Sequence, residues 1–184
     1  MGRNKRALSP VIATVLLLLL TVSAAIIIAG VVLPFIRGNL DKSTECVDYR
    51  SYFTFEEKFE FEDDSFRYNC YQGDNLYGAS IRAEGNEELS EDIGGFKLVF
   101  IQKLGDSVSV EVKSGELVSD IRMLDAVKTE LEVPKSGEVK TYVYDSGGKI
   151  YDKIEVYPLL KSGRICQISD EIALIKCLPN VNLG

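Results

Sequence analysis

Four cysteines, Cys46, Cys70, Cys166 and Cys177, are the residues of this chain best equipped for chemistry, and no histidine accompanies them. Without an imidazole the chain lacks the usual base that activates a serine or cysteine nucleophile. A thiolate metal site needs paired close spacings, and no Cys-x-x-Cys occurs here. The even count points instead to two disulfides in an oxidising compartment. Four cysteines allow three connectivities. The two short separations each bracket what reads as a hairpin, so the expected pairing is local, Cys46 with Cys70 and Cys166 with Cys177.

The carboxylates offer less. Glu56, Glu57, Glu60, Glu62, Asp63 and Asp64 are crowded enough to invite calcium, but they lack the spacing of a calcium loop and alternate with aromatics as a solvated strand face does. Asp92, Asp120 and Asp125 form no constellation, and no phosphate-binding glycine loop is present. The expectation is a protein that is not an enzyme, with no catalytic residue, no metal and no cofactor. No asparagine begins an Asn-x-Ser/Thr acceptor, so the usual N-linked glycan has no site. Tyr49, Tyr52, Tyr68, Tyr71 and Tyr77 crowd one stretch, readable either as an adhesive patch or as ordinary strand residues.

The elements that must carry these residues divide sharply. Between Arg6 and Arg37 there is no charged residue, Arg3, Lys5 and Arg6 precede the run, and all 28 acidic residues follow it. A helix from Leu8 to Ile36 spans roughly 43 Å, against the ~30 Å of a hydrocarbon core. The early cations place the N-terminus in the cytoplasm and the remainder outside, giving a single-pass membrane protein with an extracellular C-terminal domain. Beyond Arg6 eighteen basic residues face 28 acidic ones, so nucleic acid is excluded as a partner for so acidic a surface.

Within the run, Ser9 suits an N-cap and Pro10 a first helical residue, whose missing N–H the helix would leave unpaired anyway. Thr21, Ala25 and Ala29 recur every fourth residue and make a stripe of small side chains that lets another helix approach closely. Gly30 and Pro34 weaken the outer end, where a kink or exit is expected. A secretory signal cleaved after Val22-Ser23-Ala24 would leave Ala25 through Ile36 as an apolar terminus that a secreted protein would have to hide. An uncleaved anchor satisfies hydropathy alone.

The segment Lys5-Arg6-Ala7-Leu8-Ser9-Pro10-Val11-Ile12-Ala13 resembles the start of archaeal type IV pilin-like proteins, in which a short basic leader ends in a small residue just before the hydrophobic run. The resemblance covers about the first thirty residues closely and the rest loosely, by its cysteines and strand pattern. It implies cleavage between Ala7 and Leu8 by a prepilin peptidase, with Arg6 and Ala7 on the leader side. It also implies a hydrophobic helix retained for assembly, with this chain or other pilins as partners and an ATPase-driven membrane machine. Ile12 stands where bacterial relatives carry a glutamate.

The exported part reads as strands. Phe53, Phe55, Phe59 and Phe61 alternate with Thr54, Glu60 and Glu62, and Val108, Val110 and Val112 alternate with Ser109 and Glu111. Further strands are expected over 66–70, 76–83, 96–102, 129–133, 139–144, 150–157 and 172–176, with glycine-bearing turns between them and a clear hairpin from Gly95 to Val112. Helical periodicity is nowhere evident. Many short strands of this kind indicate an immunoglobulin-like β-sandwich. The expected organisation is α+β: a basic leader over 1–7, a transmembrane or assembly helix over 8–37, a linker over 38–45 and an extracellular sandwich over 46–184. The function expected from the resemblance is a structural subunit, pilin or minor pilin, of a cell-surface filament, with a role in adhesion. The other class to be weighed is a non-polymerising membrane-anchored binding module.

Overall fold

The structure, a computed structural model, describes residues 10–36, 45–61, 64–73, 75–124 and 130–184. It falls into two compact units, Met1–Glu45 and Cys46–Gly184. The first contains one apolar helix, α1, and the second is β-rich, so the class is α+β.

Helix α1 is regular over Pro10–Ile27, takes a π turn over Ile28–Val32 and is α-helical again over residues 33–36. Pro10 opens it, where a missing N–H leaves nothing unpaired. Ser9, expected to cap it, lies outside the described residues. Where a kink or exit was expected, at Gly30 and Pro34, the chain stays helical through residue 36 but with its bonding disturbed. Pro34 offers no N–H to the Gly30 carbonyl and its ring crowds that group. The helix answers by widening just before it, with the Leu33 N–H bonding back to Ile28 O, five residues earlier.

In the second unit the strands are β1 (Phe53–Phe55), β2 (Phe59–Phe61), β3 (Asp64–Phe66), β4 (Cys70–Gln72), β5 (Leu76–Ala83), β6 (Ile93–Ile101), β7 (Ser107–Lys113), β8 (Ile121–Met123), β9 (Val139–Asp145), β10 (Lys153–Leu160), β11 (Asp170–Ala173) and β12 (Ile175–Lys176). One sheet has the order β12-β4-β5-β9-β8, with β1 sharing the β4 side of β5; a second has the order β11-β10-β6-β7; β2 and β3 form a separate hairpin. Period-2 alternation aims Phe96, Leu98 and Phe100 of β6 inward, all fully buried, while Lys97, Val99 and Ile101 point outward and are half-exposed. The inner faces of the two main sheets meet there: Phe100 stacks on Tyr144 of β9 with centroids 4.4 Å apart, and Phe96 meets Tyr142 edge-on at 5.2 Å. A second apolar cluster, on Cys70, Val143, Val181 and Leu183, seats the C-terminal tail and β3 region against the six-stranded sheet. Leu183 N donates to Gln72 Oε1 at 2.7 Å, and the Arg122 guanidinium donates to Leu183 O.

Three expectations are corrected here. The disulfides are not local: Cys46 joins Cys166 and Cys70 joins Cys177. Strands β1 and β4 lie on the same side of β5 but at opposite ends, Phe53 opposite Ala83 and Tyr71 opposite Tyr77, so Cys46 and Cys70 diverge along its length. Strand β12 runs parallel beside β4, with Ile175 opposite Cys70, and brings Cys177 within 4.9 Å of Cys70 between Cα atoms. The β10–β11 loop meanwhile returns to β1, where Ser169 Oγ and Asp170 Oδ2 accept from the N–H groups of Phe53 and Phe55, and this delivers Cys166 to Cys46.

Residues 130–133 form no strand. Leu131 is buried there but exchanges only two backbone bonds with the stretch after β7, from Gly115 N to Leu131 O and from Leu131 N to Glu116 O. A four-residue helix, α2 (Glu87–Ser90), also escapes periodicity by being shorter than two turns; Asn86 caps it by accepting from Leu89 N at 2.9 Å.

Candidate functional site

Every residue of the apolar stretch from Val11 to Ile36 is exposed, although its most apolar 18 residues have a mean hydropathy of 2.9. An all-round apolar helix of about 39 Å is long and apolar enough to cross a membrane. Its few hydroxyls are already satisfied. Thr14, Thr21 and Ser23 each donate to the carbonyl three residues earlier, at 2.9 Å. The helix surface therefore presents no side-chain donor that needs water.

Arg6, Ala7 and Leu8, the expected leader site, lie outside the described residues. Thr21, Ala25 and Ala29 are exposed on α1. Thr21 and Ala25 sit in the regular part, whereas Ala29 falls inside the π turn, where five-residue bonding displaces the four-residue line. No carbon placed at Gly30 would meet anything within 4 Å, so the small-residue side of this segment is open.

In the second unit the tyrosines readable either as an adhesive patch or as ordinary strand residues are largely packed into the domain. Tyr49, Tyr52 and Tyr77 are buried in the main core, and Tyr68 and Tyr71 are half-buried. Tyr77 also works as a strut: its hydroxyl donates to Lys149 O and accepts from Tyr151 N, both at 3.1 Å, which fixes the β9–β10 loop from beneath. Of the crowded acids, Glu56 is engaged by Arg82, with Nε to Oε2 at 2.6 Å, while Glu62 and Asp63 lie outside the described residues, as does Asp125. Asp92 accepts from the Tyr49 hydroxyl at 3.4 Å, and Asp120 from Ser119 Oγ at 2.9 Å. Among the described residues no three His, Cys, Asp or Glu side chains are grouped to hold a metal ion.

The two ends of the β unit differ in shape. At the end where β6 begins, an open groove of about 590 Å³ lies between α2 and the stretch leading into β9. Ile93, Val133 and Pro134 give it apolar walls, and Glu87, Glu91 and Glu138 bring three carboxylates against the single ammonium of Lys135. Tyr52 also lines it, its ring filling the space a side chain would need at Gly85, where a Cβ would lie 2.0 Å from the ring. Burial pushes the Tyr52 phenol above its ordinary pKa, and the nearby Ser90 hydroxyl opposes this more weakly. At the other end of β6 two loop tips project. The β6–β7 turn carries Lys103 and Leu104, the latter 94% exposed; the β9–β10 loop carries Lys149 and Ile150, the latter 68% exposed. Asp152 N donates to Ile101 O at 2.9 Å, which sets the two loops side by side.

No protein-family model matches the chain, and comparison with curated proteins finds no match. Sequence reasoning missed both the groove and the tips, because their residues come from separated loops that share no motif. The one available signal was Lys103-Leu104-Gly105 at a predicted turn, an apolar residue where turns are ordinarily polar.

Proposed function

We propose that this protein is a structural subunit of a type IV pilus-like surface filament, with α1 forming the assembled core and the β unit facing outward. The observation that carries the reading is α1 itself: an uncharged, predominantly apolar stretch of 26 residues, exposed all round, preceded by a short basic segment whose last small residue is Ala7. Such a helix requires lipid before assembly and other helices after it. The Lys5-to-Ala13 resemblance supports removal of residues 1–7 by a prepilin peptidase and retention of Leu8 as the mature terminus. Two disulfides favour an extracellular β unit. The strand orders β1-β5-β9-β8 and β11-β10-β6-β7, with the chain crossing between sheets after β5, β7 and β9, support reading that unit as an immunoglobulin-like sandwich. Its role is assembly, not catalysis.

A membrane-anchored binding module is the second reading, favoured by the groove between α2 and the approach to β9. N-terminal sequencing of the membrane-extracted protein tests leader removal. A start at Leu8 is expected; a start at Met1 favours the plain anchor, and a start at Ala25 favours a secreted protein.

A further inference from the structure

We infer that the groove between α2 and the approach to β9 binds a neutral, hydroxyl-rich ligand, a glycan, with the Tyr52 hydroxyl at its floor. Such a site deepens the binding-module reading, on which it rests, and is independent of whether α1 assembles. Tyr52 is only 2% exposed, and its hydroxyl has no hydrogen-bond partner among the described residues. A buried phenol is ordinarily paired, because an unmade bond there leaves the group desolvated without compensation. Tyr52 lines the groove together with the nearby Ser90, whose own hydroxyl donates to Glu87 O at 2.6 Å. The phenol is also held in place. Its ring fills the space beside Gly85 and meets Phe53 edge-on at 4.8 Å, so it cannot swing away to find a partner elsewhere.

The rest of the lining selects the ligand. Glu87 in α2 and Glu91 at its C-cap lie four residues apart and so share one side of that turn, while Glu138 belongs to the other wall. Ionised carboxylates only accept, and the Lys135 ammonium only donates. An anion would meet three carboxylates. A polycation would satisfy them but has no acceptor for Lys135 or for the Tyr52 phenol. A sugar hydroxyl serves both, donating to the carboxylates and accepting from the ammonium and the phenol, and the C–H faces of its ring suit Ile93, Val133 and Pro134. At about 590 Å³ the open groove has the size of a small-ligand site. It is also preformed. Val133 N donates to Ser114 Oγ at 3.0 Å, Lys135 N to Glu138 Oε2 at 3.0 Å and Gly137 N to Ala83 O at 2.7 Å, so the wall carrying Lys135 and Glu138 is fixed before any ligand arrives.

The test is an array of neutral, anionic and amino-bearing oligosaccharides probed with the purified full chain in detergent, with spermine titrated separately as a polycation. Capture by neutral oligosaccharides is expected, and calorimetric titration with the best of them gives the dissociation constant. Tyr52→Phe, which keeps the ring, should weaken binding about tenfold, and Glu87→Gln with Glu91→Gln should weaken it at least as much. Leu104→Ser, at the other end of β6, should leave it unchanged. Glu87 and Glu91 are exposed, so their double variant decides the matter even if Tyr52→Phe fails to fold. No capture by any neutral oligosaccharide would overturn the inference, as would full affinity in the folded Tyr52→Phe chain or in the double variant. Binding of spermine alone, or of anionic oligosaccharides alone, would also overturn it while leaving an anchored binding module standing, so the two can fail separately.

Discussion

Asn69 completes a β-ladder for Ser80 where the backbone has left it. Strand β1 departs from β5 after Glu56, whose N–H still reaches Ser80 O at 3.0 Å. Asn69 Oδ1 then accepts from Ser80 N at 2.7 Å, and Asn69 Nδ2 donates to Glu56 O at 2.7 Å. A buried side-chain amide thus stands in for a strand between β1 and β4, which lets the β2–β3 hairpin leave the sheet edge and return.

Asn69→Ala strands one buried donor and one acceptor, and is expected to lower unfolding free energy by about 2–4 kcal/mol. Urea unfolding of residues 46–184 measures this. An effect below about 0.5 kcal/mol would mean that water satisfies those groups instead.

Gly78 lies beside the same seam. A Cβ there would stand 2.0 Å from the Tyr68 carbonyl oxygen, which cannot rotate away as a flexible side chain would. Gly78→Ala should therefore cost about 1–3 kcal/mol in the same measurement.

The disulfides should map as Cys46–Cys166 and Cys70–Cys177 by non-reducing peptide analysis. They close sequence separations of 120 and 107 residues. In the chain-entropy model a loop of that order contributes about 4.7 kcal/mol, so Cys46→Ser with Cys166→Ser should lower stability by several kcal/mol.

Alkaline pH should unfold the β unit through its tyrosines. Burial holds Tyr144 and Tyr157 up to about 12, with Glu155 adding to the effect at Tyr157, and burial likewise raises Tyr142. These phenols are protonated in the folded state beyond the point at which unfolded tyrosine ionises, near pH 10. Their contribution is present below pH 10 and is lost as pH rises toward 12. Ultraviolet titration should show tyrosinate appearing together with loss of strand signal. Tyrosinate formation well before unfolding would contradict this.

At the acid end the sign reverses. Burial alone would raise the Glu155 pKa, but hydrogen bonds from Lys153 and Tyr157 and the Lys153 charge outweigh it and hold the carboxyl low. Its stabilisation is present above the ordinary carboxylate range and is lost as pH falls through the lowered value. Lys153→Met should move the onset of acid unfolding upward.

The period-2 signal made much of this fold legible. Strand β5 runs over 76–83 as the flanking glycine turns indicate, and Val108, Val110 and Val112 do lie on one strand paired with β6. What local sequence could not carry was adjacency. Nothing near Cys70 reveals that β12 will run beside β4, so pairing by short separation failed. Phe53 to Phe61 reads as one alternating run, yet Asn69 in the ladder allows β1 and β2 to enter different sheets. The π turn before Pro34 was half-legible: the disturbance was expected, its form was not. The groove required three loops to meet, which no periodicity encodes.

If α1 is the assembled core, Ala25→Leu with Ala29→Leu should keep membrane insertion, since the span stays apolar, and should hold neighbouring helices apart. Fractionation should show the variant in the membrane at wild-type level. Filaments should be lost.

Immunogold electron microscopy of cells making the wild-type chain, with antibody against the β unit, addresses the filament claim most directly. The proposed assembly predicts gold along the length of surface filaments, absent from cells lacking the protein. Gold confined to the cell envelope, with no labelled filament under any growth condition, would contradict it and leave the anchored binding module in its place.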